Sequence, residues 1–297
     1  MPAEQLKAGD TIGVAAPCYV VEENKYDKSF AALSAMGFRI KKSDNLHKDT
    51  YGFSASEEER AGDFNRMIAD KEVRMLLFGG GSVSNEILPW LDFENIRRNP
   101  KFILSYSDGT TLLDAIYART GLVTYYGQKP STFADLTVYN QRQFWSHFVD
   151  ESPAVFEPNS EWTTICGGSG EGILVGGYLE NFGLLLGSQY FACRSDRKHL
   201  LFLEDYYDYH KPADVSRYLS HIEQSGFLEN VTGLIFGHYS DSAQSELSAR
   251  LERFGRRNRI PVVACDDFGH GVNNAILPIG VSARLDADAR NLVFGAA

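Results

Sequence analysis

The first hundred residues alternate short apolar runs with helical patterns, and this alternation constrains the fold more than any other feature. Thr11-Ile12-Gly13-Val14-Ala15-Ala16 reads as a buried strand broken at Pro17. A helix is expected over 22–36, stopped by Gly37. Phe38-Arg39-Ile40 reads as a second strand, and Glu57 to Glu59 give an acidic first turn to a helix running to Ala69. Val73-Arg74-Met75-Leu76-Leu77-Phe78 is a third strand, ending in Gly79-Gly80-Gly81-Ser82. A short helix is expected over 85–88, and Phe102 to Leu104 form a fourth strand. Strands separated by helices in this way predict an α/β protein with a doubly wound, mostly parallel sheet. In such sheets ligands bind at the carboxyl ends of the strands.

The pattern changes over 150–170, where Pro153, Pro158, Asn159, Gly167, Gly168 and Gly170 interrupt any helical period. This stretch is expected to cross into a second domain: 1–155 first, 156–170 as crossover linker, 171–297 second. Strands are expected at 172–177, 200–203, 233–237 and 260–264, with helices at 213–224 and 242–254. The net charge of −10 argues against a nucleic-acid surface, which needs a basic stripe to displace counterions. No run approaches the ~20 apolar residues of a membrane helix. The N-terminal MPAEQLKAGD lacks the basic region and apolar core of a secretory signal. Cys18, Cys166, Cys193 and Cys265 are far apart and form no disulfide framework or zinc ribbon. A reduced, cytoplasmic protein without metal or cofactor is expected.

Four places carry candidate chemistry. In Lys101-Phe102-Ile103-Leu104-Ser105-Tyr106-Ser107-Asp108-Gly109-Thr110 an apolar strand runs into a helical pattern. Read locally, the stretch fits either a helix cap, with a side-chain oxygen accepting an orphan N–H, or a nucleophile elbow centred on Ser107. Gly79-Gly80-Gly81-Ser82 lacks dinucleotide and phosphate-loop spacing, but its N–H groups suit an anion or oxyanion as well as a plain turn. Glu204 and Asp205 directly follow the strand Leu200-Leu201-Phe202-Leu203, as solvated strand-end acids or as a carboxylate that orients a histidine. His270 lies between Gly269 and Gly271 on a post-strand loop after Asp266-Asp267-Phe268. Asp266, Asp267 and His270 could also hold a metal, but no further ligand completes that shell. The other histidines have no comparable setting, and Tyr206-Tyr207-Asp208-Tyr209 reads as a buried or interfacial patch.

A serine at a strand-to-helix turn, a glycine loop, a strand-end glutamate and a loop histidine form an acyl-transfer set in the chain order Ser, acid, His. Here the chain resembles the serine LD-carboxypeptidases and their relatives, the microcin C self-immunity carboxypeptidases. Leu6-Lys7-Ala8-Gly9-Asp10 through Pro17 resembles the family opening, and Glu59-Arg60-Ala61-Gly62-Asp63-Phe64-Asn65 its R-A-x-D-L-N helix. Asn99-Pro100-Lys101 with Ser105-Tyr106-Ser107-Asp108 resembles N-P-K…G-Y-S-D. Gly170-Glu171-Gly172 with Val175-Gly176-Gly177, then Leu203-Glu204-Asp205 and Phe268-Gly269-His270-Gly271, complete the resemblance.

The resemblance implies a triad of Ser107, Glu204 and His270. It also implies an oxyanion hole from the N–H groups of Asp108 and of Gly80 or Gly81, and substrate contacts from Ser82, Ser84, Asn85 and Tyr106. It implies a flavodoxin- or Rossmann-like N-terminal domain bearing the serine. A β-rich, swivelling-barrel-like C-terminal domain would bear the acid and base, with the site between them. The partners it implies are a small peptide with a free terminal carboxylate and a second copy of the chain. Some positions depart from the family pattern: Ser105 replaces a glycine, Gly109 an aliphatic residue, Tyr178 the asparagine of G-G-N-L, and Cys18 a serine. The arginine that opens the glycine loop in murein-recycling members is missing, and Ser84-Asn85 and Tyr125-Tyr126-Gly127 are closer to the microcin branch. Against that branch, 157–168 is short for a nucleobase-contacting loop and holds only Trp162.

Overall fold

In the computed structural model, which describes residues 3–150, 153–191, 197–242 and 244–295, the apolar runs of the first half become parallel strands. They are β1 (Thr11–Ala15), β2 (Arg39–Lys42), β3 (Val73–Phe78), β4 (Phe102–Ser105) and β5 (Thr124–Tyr126). Within this half they pair in the order β2-β1-β3-β4-β5, every pair parallel. The helices are α1 (Asp27–Ala35), α2 (Glu57–Ala69), α3 (Phe93–Arg98), α4 (Thr110–Thr120) and α5 (Val138–Phe148). This is the flavodoxin-like order of a doubly wound sheet, with its topological switch between β1 and β3. β1 is buried along its whole length and β3 nearly so, as strands covered on both faces must be. β2 is the edge, and its exposed Arg39, Lys41 and Lys42 discourage pairing with another chain.

Local chemistry explains where elements begin. Ser56 caps α2 by accepting the Glu59 N–H, and the Glu59 carboxylate accepts the Ser56 N–H at 3.0 Å, a reciprocal capping box. α1 starts at Asp27 rather than at 22, because Asn24 takes a left-handed φ of 64° that a helix cannot contain. The expected short helix at 85–88 is a 3₁₀ helix, Ser84–Trp90, with Pro89 inside it.

The chain divides into two compact units, Met1–Ser152 and Pro153–Ala297. The second contains β6 (Thr163–Cys166), β7 (Ser169–Tyr178), α6 (Leu179–Leu185), β8 (His199–Glu204), α7 (Pro212–Gln224), β9 (Val231–His238) and α8 (Ser245–Asn258). β10 (Val262–Gly269), β11 (Leu277–Ile279), β12 (Ser282–Asp286) and β13 (Asn291–Phe294) follow. Its seven-stranded sheet runs β13-β12-β7-β8-β9-β10-β6. The four central strands are parallel, and antiparallel strands flank them on each side. The stretch 156–170, expected as a linker, contributes β6 to this sheet through pairing with β10. Among the described residues, no helix is long and apolar enough to cross a membrane. Cys18, Cys166 and Cys265 are free thiols, and Cys193 lies outside the described residues.

One buried group makes the first unit acid-sensitive. His147 of α5 is 3% exposed, its Nδ1 lies 2.8 Å from the Gln143 carbonyl oxygen, and burial lowers its pKa to about 4. An unfolded imidazole titrates near ~6.5, so below that pH the unfolded chain binds a proton the folded chain refuses. The stabilisation is whole above pH ~6.5 and is lost as pH falls toward 4, by roughly 3 kcal/mol in full. Denaturant unfolding at several pH values between 7 and 4 should show this loss, and the His147→Gln variant should show a shallower one. Equal slopes for the two proteins would exclude His147 as its source.

Candidate active site

β4 delivers its last residue, Ser105, to a tight turn, and the serine two positions on takes a backbone conformation rare outside glycine. Ser107 has φ 57°, in the left-handed region, and opens a short 3₁₀ turn that leads straight into α4. Holding a non-glycine residue there costs about 1–3 kcal/mol, which the surroundings must offset. Hydrogen bonds hold the turn. The Ser107 N–H donates to Tyr126 Oη at 3.1 Å, the Gly109 N–H to the Tyr106 carbonyl at 3.0 Å, and the Thr110 hydroxyl to the Ser107 carbonyl at 2.7 Å. Ser107 is therefore both a helix-start residue and the apex of an elbow. The glycine loop after β3 runs beside it. A Cβ on Gly80 would lie 2.8 Å from Ser107 Cβ and 3.2 Å from its Oγ, so only glycine lets that backbone approach.

A buried guanidinium fixes the loops around this turn. Arg60 lies on the apolar face of α2 with Phe64 and Met67, and is 2% exposed. It donates to the carbonyls of Ala55 (3.0 Å), Pro17 (2.8 Å) and Val83 (3.0 Å), and pairs with Glu86. The loops after β1 and β3 are thereby tied to one side chain. Asp108 is also buried, and its carboxylate accepts the Ser84 N–H at 2.9 Å while the Ser84 hydroxyl lies 2.8 Å from its carbonyl oxygen. Cys18 sits against this pair, and burial, then the Asp108 charge, pushes its thiol well above the usual range.

In the second unit β8 ends on Glu204, which is fully buried, and β10 ends on Gly269, which delivers His270. His270 Nδ1 lies 2.8 Å from Glu204 Oε2. With Nδ1 donating to the carboxylate, a neutral ring presents Nε2 as its acceptor. Gly269 has φ 104°, and a Cβ there would lie 2.9 Å from Glu204 Oε2, so glycine is required on both counts. Three tyrosines wall the imidazole. Tyr206 stacks on it at 5.3 Å and 16°, Tyr178 is tilted at 5.2 Å, and Tyr209 meets it edge-on at 5.6 Å. Tyr178 follows Gly176 and Gly177, both at positive φ, and pairs in register with Glu204. A Cβ on Gly176 would lie 1.9 Å from the Phe202 carbonyl oxygen.

The residues expected from sequence thus form two groups, one per unit. Ser107, Asp108, Gly80, Gly81, Ser82, Ser84, Asn85 and Tyr106 lie at the carboxyl ends of β3 and β4, and Glu204 and His270 lie at those of β8 and β10. Ser82 and Asn85 are exposed, whereas Ser84 is buried on Asp108 and Tyr106 is buried beneath the Lys129 ammonium, 4.2 Å from its ring centre. Asp267 accepts the Trp162 indole N–H at 2.7 Å and the Asn159 N–H at 2.8 Å. Among the described residues, no cluster of three or more His, Cys, Asp and Glu could hold a metal. Two histidines with no distinctive setting in the sequence are in fact paired: His210 Nδ1 with Asp205 at 2.9 Å, and His238 Nδ1 with Asp266 at 2.9 Å. Their partners are separated from them by 5 and 28 residues, and no local pattern joins them. Arg60 leaves a clearer signal, as a charge at helical spacing from Phe64 and Met67.

Models of the LD-carboxypeptidase N-terminal and C-terminal domains match residues 12–127 and 171–285. The chain belongs to the LD-carboxypeptidase family. The probable murein peptide carboxypeptidase of Bacillus subtilis (strain 168) is 30% identical, over 98% of this chain and 93% of that protein. The microcin C7 self-immunity protein MccF of Escherichia coli is 29% identical, over 98% of this chain and 94% of that protein. The crystal structure of an MccF-like protein from Bacillus anthracis superposes with a TM-score of 0.89 at 26% identity, covering 99% of this chain and 98% of that one.

Two departures of this chain from the pattern expected for the family turn out to be one. A Cβ on Gly109 would lie 2.1 Å from Ser105 Oγ, and the Ser105 hydroxyl donates to the Phe78 carbonyl at 3.0 Å. Ser105 fills the space that an aliphatic residue at 109 would need, and only glycine there leaves room for it. Gly109→Ala should destabilise the first unit by about 1–3 kcal/mol through overpacking, and Ser105→Gly in the same chain should recover most of that loss. Thermal unfolding of the two single variants and the double variant measures the coupling, and additive effects would contradict it.

Proposed function

We propose that this chain is a serine carboxypeptidase of the LD-carboxypeptidase type, with Ser107 as nucleophile, His270 as general base and Glu204 as the orienting carboxylate. One observation carries the proposal: the same chain holds a serine in left-handed backbone at a strand-to-helix turn and an imidazole whose Nδ1 is fixed by a fully buried carboxylate. His270 takes the Ser107 proton as Oγ attacks the peptide carbonyl, then protonates the leaving amine, and water hydrolyses the acyl-enzyme by the same route. Glu204 holds the tautomer and stabilises the imidazolium. The N–H groups of Asp108 and of Gly80 or Gly81 receive the oxyanion, each worth ~10²–10³ in rate.

The proposed substrate is a small peptide with a free terminal carboxylate, cleaved between an L-residue and a terminal D-alanine as in a murein tetrapeptide. The B. subtilis relative with the murein name supports this. So does Trp162, which is buried against Phe156 with its N–H on Asp267 and offers no open face to a nucleobase. Cleavage of a peptidyl-nucleotide amide is the second reading, favoured by the likeness to the MccF-like structure. Incubation with a murein tetrapeptide, isoaspartyl-amide peptides and a peptidyl-adenylate analogue, followed by mass spectrometry, separates the two. Release of terminal D-alanine alone is expected.

A fluorophosphonate should label the wild-type protein and spare Ser107→Ala. Ser107→Ala and His270→Ala should each lower turnover by at least ~10³-fold. Absence of both labelling and turnover would leave a peptide-binding protein on the same fold. A histidine base must be neutral to accept the Ser107 proton, so turnover should fall as the pH is lowered. A flat profile from pH 5 to 8 would remove His270 from the base role.

A further inference from the structure

Glu204 and Asp205 are consecutive carboxylates, both fully buried at the end of β8, and of the two it is Glu204 that bonds His270. Asp205 meets a second imidazole. His210 Nδ1 lies 2.9 Å and 3.2 Å from its two carboxylate oxygens, and the Tyr206 N–H donates to it at 2.7 Å. Tyr178 joins the two arrangements. Its hydroxyl lies 3.2 Å from His210 Nδ1, while its ring stacks on His210 at 5.8 Å and tilts against His270 at 5.2 Å.

We propose that His210 is a positioning residue that carries a positive charge: it neutralises Asp205, so that His270 responds to the charge of Glu204 alone, and it holds Tyr178 as one wall of the His270 ring. The proposal rests on His270 being the general base. A second bare carboxylate one residue from Glu204 would stabilise the His270 imidazolium and leave less neutral base at a given pH. The groups around His210 favour its charged form. Asp205 approaches from the end of β8, Glu180 from α6 at 3.6 Å from Nε2, and Asp214 from α7. The hydrogen bond to Asp205, opposed by desolvation, holds its proton above the usual range. The remaining neighbours, Tyr178, Tyr218 of α7 and Tyr239, whose hydroxyl donates to the His210 carbonyl at 2.7 Å, are neutral phenols whose pKa values are all raised by burial. Around His270 itself stand Glu204, Tyr178, Tyr206 and Tyr209, with His238 packed behind Gly271 and paired with Asp266.

His210→Gln separates charge from packing, because glutamine can still donate to Asp205 but carries no charge. The acid limb of the kcat/KM profile should move upward by roughly half a pH unit or more, with KM at the plateau within about twofold of wild type and a lowered melting temperature, because the buried Asp205 loses its counter-charge. Asp205→Asn combined with His210→Gln replaces the ion pair by a neutral pair and should return the limb to its wild-type position. An unmoved limb in His210→Gln, or a double variant no closer to wild type than the single one, would overturn the proposal. If the triad itself were wrongly assigned, His270→Ala would keep its activity, a result distinct from either. Tyr178→Phe keeps the ring wall and should leave the limb within ~0.2 units; a shift as large as that of His210→Gln would assign the effect to the phenol hydroxyl instead.

Discussion

Arg60 is a cation with almost no access to water, and the loops that frame Ser107 depend on where its hydrogen bonds go. Three carbonyls and one carboxylate accept from it, and two of those carbonyls, Pro17 and Val83, belong to loops at the ends of β1 and β3. Those strands flank the topological switch of the sheet, where the doubly wound fold leaves its crevice. Removing the guanidinium would take a hydrogen bond from a carbonyl on each loop and leave the half-buried Glu86 without its partner, a loss of about 1–3 kcal/mol for each group left buried and unsatisfied. The glycine loop can approach Ser107 closely because it has no side chains there, and it stays in place because Arg60 holds its far end.

The second unit solves a different problem with similar means. A histidine on a loop has many rotamers, and the general base proposed here needs one. Glu204 fixes Nδ1 by a hydrogen bond from the floor of the sheet, Gly269 removes the side chain that would block that contact, and three tyrosines restrict the ring by packing. Gly176 and Gly177 adopt backbone angles closed to other residues and thereby place Tyr178 beside Glu204 in the register of β7 and β8. These glycines are the negative image of side chains that must come close.

Much of this architecture is legible in the amino-acid sequence. Apolar runs and their spacing predict the parallel sheet because buried strands are nearly all apolar, and the Ser56 cap announces α2 through its own local hydrogen bonds. Ser107, Glu204 and His270 stand out because each ends or follows a strand. Contacts between distant segments are not legible. Tyr126 receives the Ser107 N–H from 19 positions away, Trp162 reaches Asp267 across 105, and β6 pairs with β10 through a stretch that reads as linker. A helix start is also misplaced where one residue takes a left-handed φ, as at Asn24. Side-chain chemistry with short range leaves a mark in the sequence, and chemistry created by folding does not.

The exchange of volume between positions 105 and 109 has a consequence for how such a chain can change. A side chain at both positions collides, whereas glycine at both removes the collision. A chain with glycine at 105 and an aliphatic residue at 109 could reach the present pair by single substitutions in only one order. The large residue at 109 must shrink before serine arrives at 105, and reversal must run the same path backwards. Neutral drift through this turn is a one-lane passage, and the serine beside it, Ser107, stays on its apex throughout.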